Sequence, residues 1–167
     1  HRYSGKLNVA WGSINYISST VTTGTIPTIT DDTWYNVVIK VSGLTMTCYL
    51  DDVEQYSRLN ASSFTTDAGG FAIGRRGDGS SLYYSGRLSN IQAWDKSFSS
   101  TDIAFDYNNP NLLAIDNPDS NLVAADLKGY WALSEGDGLV AYDSSGNGND
   151  GDNVTPTSGD LIGATYV

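Results

Sequence analysis

WYNVVIKVS, residues 34–42, is the stretch whose period decides the fold. Tyr35, Val37, Ile39 and Val41 fall on alternate positions and define the apolar face of a strand. Gly43-Leu44 supplies a turn, and residues 45–50 return antiparallel with Met46, Cys48 and Leu50 facing one way. Asp51-Asp52 forms the next turn and residues 53–56 the next strand.

The same punctuation continues on both sides. Residues 6–11 alternate, with Leu7, Val9 and Trp11 on one face, and residues 13–18 follow Gly12 as a hairpin. Residues 20–30 are Thr-rich and hold Pro27, which reads as an edge strand or a loop. Gly69-Gly70 introduces a short strand at 71–74, and 75–81 is a polar loop. Residues 82–94 read as a long strand through Gly86. Its period breaks between Leu88 and Ile91, which predicts a bulge or bend there. Residues 99–107 are the one helix: Ser99 can cap it, Asp102 lies three residues on, and Ile103 and Tyr107 share a face. Residues 108–126 form a connector with turn signals at Asn109-Pro110 and Asn117-Pro118. Leu112, Leu113, Ile115, Leu122 and Val123 would pack it loosely. Strand resumes at 129–133, turns at 134–138 and returns at 139–142, before a Gly-, Asp- and Thr-rich tail. Short strands at regular spacing with a single late helix predict an all-β sandwich.

Composition agrees. A chain of 167 residues fits one domain with its own core. Eleven Tyr, four Trp and 18 Gly favour strands and tight turns over helices. No apolar run approaches the roughly 18 residues of a membrane span. The start, HRYSGKLN, has neither the apolar core of a signal peptide nor a Met, so it reads as a product of processing or truncation. The single cysteine, Cys48, excludes an internal disulfide and shares a strand face with Met46 and Leu50, as a buried thiol would. A disulfide-free, Asx-rich β chain fits bacterial or viral surfaces better than a secreted animal scaffold. The net charge of −10 argues against nucleic acid, because Arg75-Arg76 is the only adjacent basic pair to offset phosphate repulsion. An acidic surface fits solubility in saline or calcium-rich surroundings, and it fits cation binding.

Three motifs add a family resemblance. The first is DDTWYNVVIKVSG…YLDDVE, residues 31–54, in which Asp52 stands where a Gly is usual. The second is GGFAIGRRGDGSSLYYSGRLSNIQAWDKSFSSTDI, residues 69–103. The third is GYWALSEGDGLVAYDSSGNGNDG, residues 129–151. Together they resemble the laminin-G-like group of the concanavalin A-like lectin/glucanase superfamily. The resemblance implies an antiparallel jelly-roll sandwich with one short helix toward the C-terminal side. It also puts the motifs in an unusual order: the third resembles the family's opening yet follows the second, its ending. Residues 1–109 are then the main part of a sandwich and 110–128 an Asn/Pro connector. Residues 129–167 are opening strands that are permuted, exchanged with a neighbour, or the start of a next repeat. The chain is accordingly expected to be cut from a longer or tandem polypeptide, or to be circularly permuted. By style of repeat, it also resembles laminin-G-like segments in predicted structural proteins of marine phages.

Candidate chemistry is sparse. DSSGNGNDGD, residues 143–152, crowds Asp, Asn and Gly as calcium requires, without the spacing of an EF-hand. The resemblance implies that such loops can hold a structural calcium, with Asp143, Asn147 and Asp150 as its ligands. The alternative is a turn-rich loop without metal. Glycoside hydrolysis needs two carboxyls across a cleft. The E-x-D-x-E pattern that would place them is absent, and Glu54 and Glu135, the only glutamates, each lie beside a turn. A Ser-His-Asp arrangement would have to use His1, the only histidine. Tyr83, Tyr84, Trp11 and Tyr16 are the aromatics proposed to stack on sugars, while Trp34, Trp94 and Trp131 are assigned to the core. Arg76-Gly77-Asp78 spells the integrin tripeptide but suits a tight loop equally well, and the sequons at Asn60 and Asn153 matter only in a eukaryotic secretory setting. The expected function is a non-catalytic jelly-roll module of a larger virion or extracellular structural protein, serving attachment, display or assembly with weak glycan binding. Its expected partners are copies of itself, other subunits, or a glycan or receptor, without nucleic acid or membrane insertion. The alternative is a carbohydrate-binding module of a bacterial surface or secreted enzyme.

Overall fold

The computed structural model describes residues 2–3, 6–7, 10–11, 15–16, 23–59, 73–74, 86–135 and 140–152, with 2–23 and 152 described by strand pairing alone. In chain order the elements are β1 (Arg2–Tyr3), β2 (Lys6–Leu7), β3 (Ala10–Trp11), β4 (Asn15–Tyr16), β5 (Thr23–Gly24), β6 (Val37–Ser42), β7 (Thr45–Leu50), β8 (Val53–Leu59), β9 (Ile91–Trp94), α1 (Ser100–Asn108), β10 (Leu127–Trp131), β11 (Val140–Ala141) and β12 (Gly151–Asp152). All described strand pairs are antiparallel. The chain divides into two compact units, residues 1–84 and 85–167.

The first unit is built on a four-stranded sheet in the order β5-β8-β7-β6. Strand β7 alternates half-buried and buried positions, so Met46, Cys48 and Leu50 point one way as the sequence period required. Met46, Cys48 and Tyr56 form the core, with Ile26, Ile39 and Val41 packed against it. Burial pushes the Cys48 thiol up to about 11, against a hydrogen bond from Tyr56, so it is an inert core group. Strand β6 begins at Val37 rather than Trp34, because Asn36 is held by Asp51. The Asn36 N–H donates to Asp51 Oδ1 at 2.8 Å, and the Asp51 N–H donates to the Asn36 carbonyl at 2.9 Å. Within the 6–11 stretch, Lys6–Leu7 pairs with Arg2–Tyr3, and Ala10–Trp11 pairs with Asn15–Tyr16.

Two local devices set the register of this sheet. Asp51 and Asp52 both sit in the left-handed region, at φ 50° and 65°, and join Leu50 to its partner Val53. That two-residue turn is of the type whose twist matches the strands, and Asp tolerates it less well than Gly. One extra residue, Gln55, bulges from β8 between the pairs Cys48–Tyr56 and Tyr49–Glu54. The Gln55 carbonyl turns toward β5, accepting from the Thr25 N–H at 3.0 Å. There a Cβ on Gly24 would lie 2.0 Å from the Gln55 carbonyl oxygen, so only glycine fits the close approach.

The second unit centres on the antiparallel pair β9–β10. Sequence period suggested a strand over 82–94. Of its described part, residues 86–94, only Ile91–Trp94 is strand, because Asn90 is left-handed at φ 53° and its side chain is committed elsewhere, donating to the Pro110 carbonyl and accepting from the Tyr130 hydroxyl. Helix α1 carries the expected cap. The Ser99 hydroxyl accepts from the Asp102 N–H, and Asp102 Oδ2 accepts from the Ser99 N–H at 2.8 Å. Asp102 is itself buried and accepts from the Asn117 side-chain amide at 2.9 Å, which ties the helix to the 110–126 segment. That segment makes two short 3-10 turns and buries Ala114 and Leu122, while Leu112 and Val123 stay exposed. Strand β10 ends at Trp131; two residues later Leu133 is left-handed at φ 56°.

Replacing Asp52 by Gly is expected to stabilise the chain by about 0.5 kcal/mol, the relief of a left-handed side chain less the added freedom of the unfolded state. A chevron or urea midpoint measurement checks it, and a loss of stability would mean that the Asp52 side chain supports the turn.

Candidate functional site

The segment that drew most attention in the sequence, residues 143–150, forms the loop between β11 and β12. Its anchor is Asp143. One carboxylate oxygen accepts backbone N–H groups from Tyr130 and Ser145, each at 2.9 Å, and the other accepts from Asn149 at 2.9 Å. The Ser145 contact is an Asx turn, two residues on from the carboxylate. The Tyr130 contact crosses to strand β10, and the Ser144 N–H returns to the Tyr130 carbonyl at 2.7 Å. Burial by itself would raise the Asp143 carboxyl, but hydrogen bonds from Ser145, Tyr130 and Asn149 outweigh it and bring it down to about 2.

The rest of the loop serves the same docking. Asp150 Oδ1 accepts from the Asp143 N–H at 2.8 Å, across the neck of the loop. The Asn147 amide donates to the Leu127 carbonyl at 2.8 Å and the Asn149 amide to the Lys128 carbonyl at 2.7 Å, so both side chains stitch the loop to β10. The Trp131 indole N–H donates to the Asn149 carbonyl at 2.9 Å. Gly129 makes room for that buried indole: a Cβ there would lie 2.2 Å from the Trp131 ring. Gly146 and Gly148 supply the left-handed turns, at φ 87° and 73°.

Asp143, Asn147 and Asp150 are thus brought onto one loop, as a calcium site would need. Asp143 is engaged with backbone, both of its oxygens facing N–H groups, while the Asn147 amide nitrogen donates to a carbonyl and one Asp150 oxygen accepts the Asp143 N–H. Among the described residues no three His, Cys, Asp or Glu side chains gather to hold a metal ion. Ser145 and Asn149 meet the Asp143 carboxylate through their backbone N–H groups, and of the two only Asp-x-Ser is a signal readable in sequence, that of an Asx turn.

Of the proposed aromatic residues, two lie on paired strands and two lie outside the described residues. Trp11 and Tyr16 lie on β3 and β4, paired with Asn15 and Ala10, and their side chains lie outside what the structure describes. Tyr83 and Tyr84 lie outside the described residues, as do Arg76-Gly77-Asp78 and both sequons. Of the three tryptophans assigned to the core, Trp131 is buried and Trp94 is half-buried, its ring edge-on to Phe98 at 5.8 Å. Trp34 departs from the expectation, being 57% exposed. Its strand period did not extend to it, because β6 begins three residues later.

A family model of laminin-G type, described as concanavalin A-like lectin/glucanases superfamily, matches residues 2–104. The chain belongs to this superfamily. Its fold class is the antiparallel jelly-roll sandwich with one short helix, and the matched residues run from β1 into α1. No curated protein and no solved structure matches the chain. A superfamily that holds both lectins and glucanases fixes a scaffold and leaves the chemistry to the individual site.

Replacing Asp143 by Ala is expected to cost about 2 kcal/mol, because it orphans backbone donors on both the loop and β10. Since the folded carboxyl lies below its unfolded range, its contribution is present above about pH 4 and is lost as the pH falls toward about 2. Asp143→Asn should flatten that acid limb in a series of thermal melts; an unchanged limb would assign it to other carboxylates. Melts with a chelator and with added calcium are expected to coincide, and a calcium-dependent rise would mean that the loop takes a cation in spite of its N–H donors.

Proposed function

We propose that this chain is a non-catalytic laminin-G-like module of a larger virion or extracellular structural protein, serving attachment, display or assembly, with weak glycan binding as a secondary capacity. The observation that carries this reading is the superfamily match in a chain whose only two glutamates are each engaged locally. Glu54 accepts from the Tyr49 hydroxyl at 3.3 Å, and Glu135 from the Tyr142 N–H at 2.9 Å. A sandwich glucanase needs two carboxyls about 5–10 Å apart across the sugar. The E-x-D-x-E pattern that would set such a pair on one strand face is absent from the sequence.

The acidic chain favours protein or glycan partners over nucleic acid, and no helix among the described residues is long and apolar enough to cross a membrane. The setting proposed is an extracellular or virion surface, with copies of the chain or other subunits of the assembly as neighbours. The second reading, a carbohydrate-binding module of a bacterial surface or secreted enzyme, draws support from exposed aromatic surface at Trp34 and Tyr142. Such rings offer flat apolar faces to a sugar.

Light scattering of the chain over a range of concentrations separates the two. The assembly reading expects discrete or open-ended oligomers. A compact monomer at all concentrations, with binding on a glycan array, would transfer the assignment to the carbohydrate module.

A further inference from the structure

The turn end of the first unit's sheet carries large apolar side chains that its own core does not cover. Val37, Leu50 and Val53 are paired in register across β6, β7 and β8. Leu50 between them is buried, yet Val37 is 43% and Val53 59% exposed. Trp34 reaches the same end, because Asn36 is hydrogen-bonded to Asp51 through both its N–H and its carbonyl. Exposed large apolar groups at one edge of an otherwise ordered sheet are a mark of an interaction surface.

The charge around this patch has one sign. Asp31, Asp32, Asp51, Asp52 and Glu54 are all in the two hydrogen-bonded segments, and neither residues 31–37 nor 50–54 contain Lys or Arg. The cations of the strands, Lys40 and Arg58, lie further along them, paired with Thr47 and Met46. An exposed indole in a segment that carries several carboxylates suits one side chain above others. A guanidinium can stack on the ring face while it donates a pair of hydrogen bonds to a carboxylate, and it loses less hydration than an ammonium does. Flanking aliphatic side chains would cover Val37 and Val53.

We propose that this end of the sheet, centred on Trp34, docks an arginine-bearing, partly aliphatic segment of another protein subunit. The inference rests on the assembly reading and names the kind of partner that reading requires. The net charge of −10 would also speed the approach of such a segment. A neutral sugar would use the ring but gain little from the surrounding carboxylates, and a polyanion would be repelled.

The test is calorimetric titration of the full 167-residue chain with a short peptide alternating valine and arginine, and with its lysine and glutamate counterparts. Binding is expected for the arginine peptide, several-fold weaker for lysine and absent for glutamate. It should weaken with added salt. Trp34→Ala should reduce affinity about tenfold or more, as a central aromatic anchor does. Asp32 and Asp52 are both left-handed, at φ 56° and 65°. Asn tolerates that conformation, so the double change Asp32→Asn, Asp52→Asn tests charge without disturbing the turns. It should weaken binding about threefold and flatten the salt dependence. Equal binding of the glutamate peptide, no binding of the arginine peptide, or full affinity in Trp34→Ala would overturn the proposal. So would a glycan on an array whose retention depends on Trp34, which would make the patch a sugar site. Oligomers that persist in Trp34→Ala while no peptide binds would sink this docking surface and leave the assembly reading standing.

Discussion

Aspartate carboxylates accepting backbone N–H groups hold this chain's loops in place. Asp51 takes the N–H of Asn36, Asp102 that of Ser99, Asp116 that of Leu113 and Asp126 that of Val123. Asp143 takes three, and Asp150 takes the N–H of Asp143. A chain with one cysteine has no internal disulfide with which to pin long connections. Charge-assisted hydrogen bonds to the backbone do that work instead, and each is stronger than a bond between neutral groups. The high aspartate content is therefore partly an internal feature of the fold as well as a source of surface charge.

The consequence is clearest in the second unit. Strands β9 and β10 are separated by the helix and by the 110–126 segment, and two polar clusters fix their approach. On one side, Asp102 joins Ser99 to Asn117. Gln92 on β9 donates to Asp106 on the helix and accepts from the Trp94 indole. On the other side, the 143–150 loop closes over β10 through Asp143, Asn147 and Asn149, with the Trp131 indole bonded beneath it. Gly129 is the steric condition for this arrangement, since any side chain would strike the Trp131 ring. The Asp and Asn side chains of this loop also supply the hydrogen bonds that dock it on β10.

Function follows from what is left over. Among the described residues, carboxylates cluster at the turn end of the first unit's sheet, and large aromatic side chains are exposed at Trp34 and Tyr142. The same two-residue turn that holds two aspartates in the left-handed region also sets their charge next to Val53. Turn geometry and surface chemistry are therefore coupled at one end of the sheet, as is common where loops on a rigid scaffold carry recognition.

The sequence by itself determined the strand-and-turn plan wherever period and punctuation agreed. The alternation of residues 45–50, the Gly43-Leu44 turn and the capping box at Ser99 all appear as the residues imply, because each depends on neighbours within a few positions. The first two motifs likewise carried the superfamily, which the match over residues 2–104 shows. Tertiary structure decided the rest. It ended β9 at Asn90 through contacts with Pro110 and Tyr130, partners 20 and 40 residues away. It left Trp34 in solvent because the strand that would have buried it starts three residues later, where Asn36 is held by Asp51. It also turned Asp143, Asn147 and Asn149 toward the backbone of β10. Side-chain type shows that a group can accept or donate, but only the approach of a distant strand decides which atoms it meets.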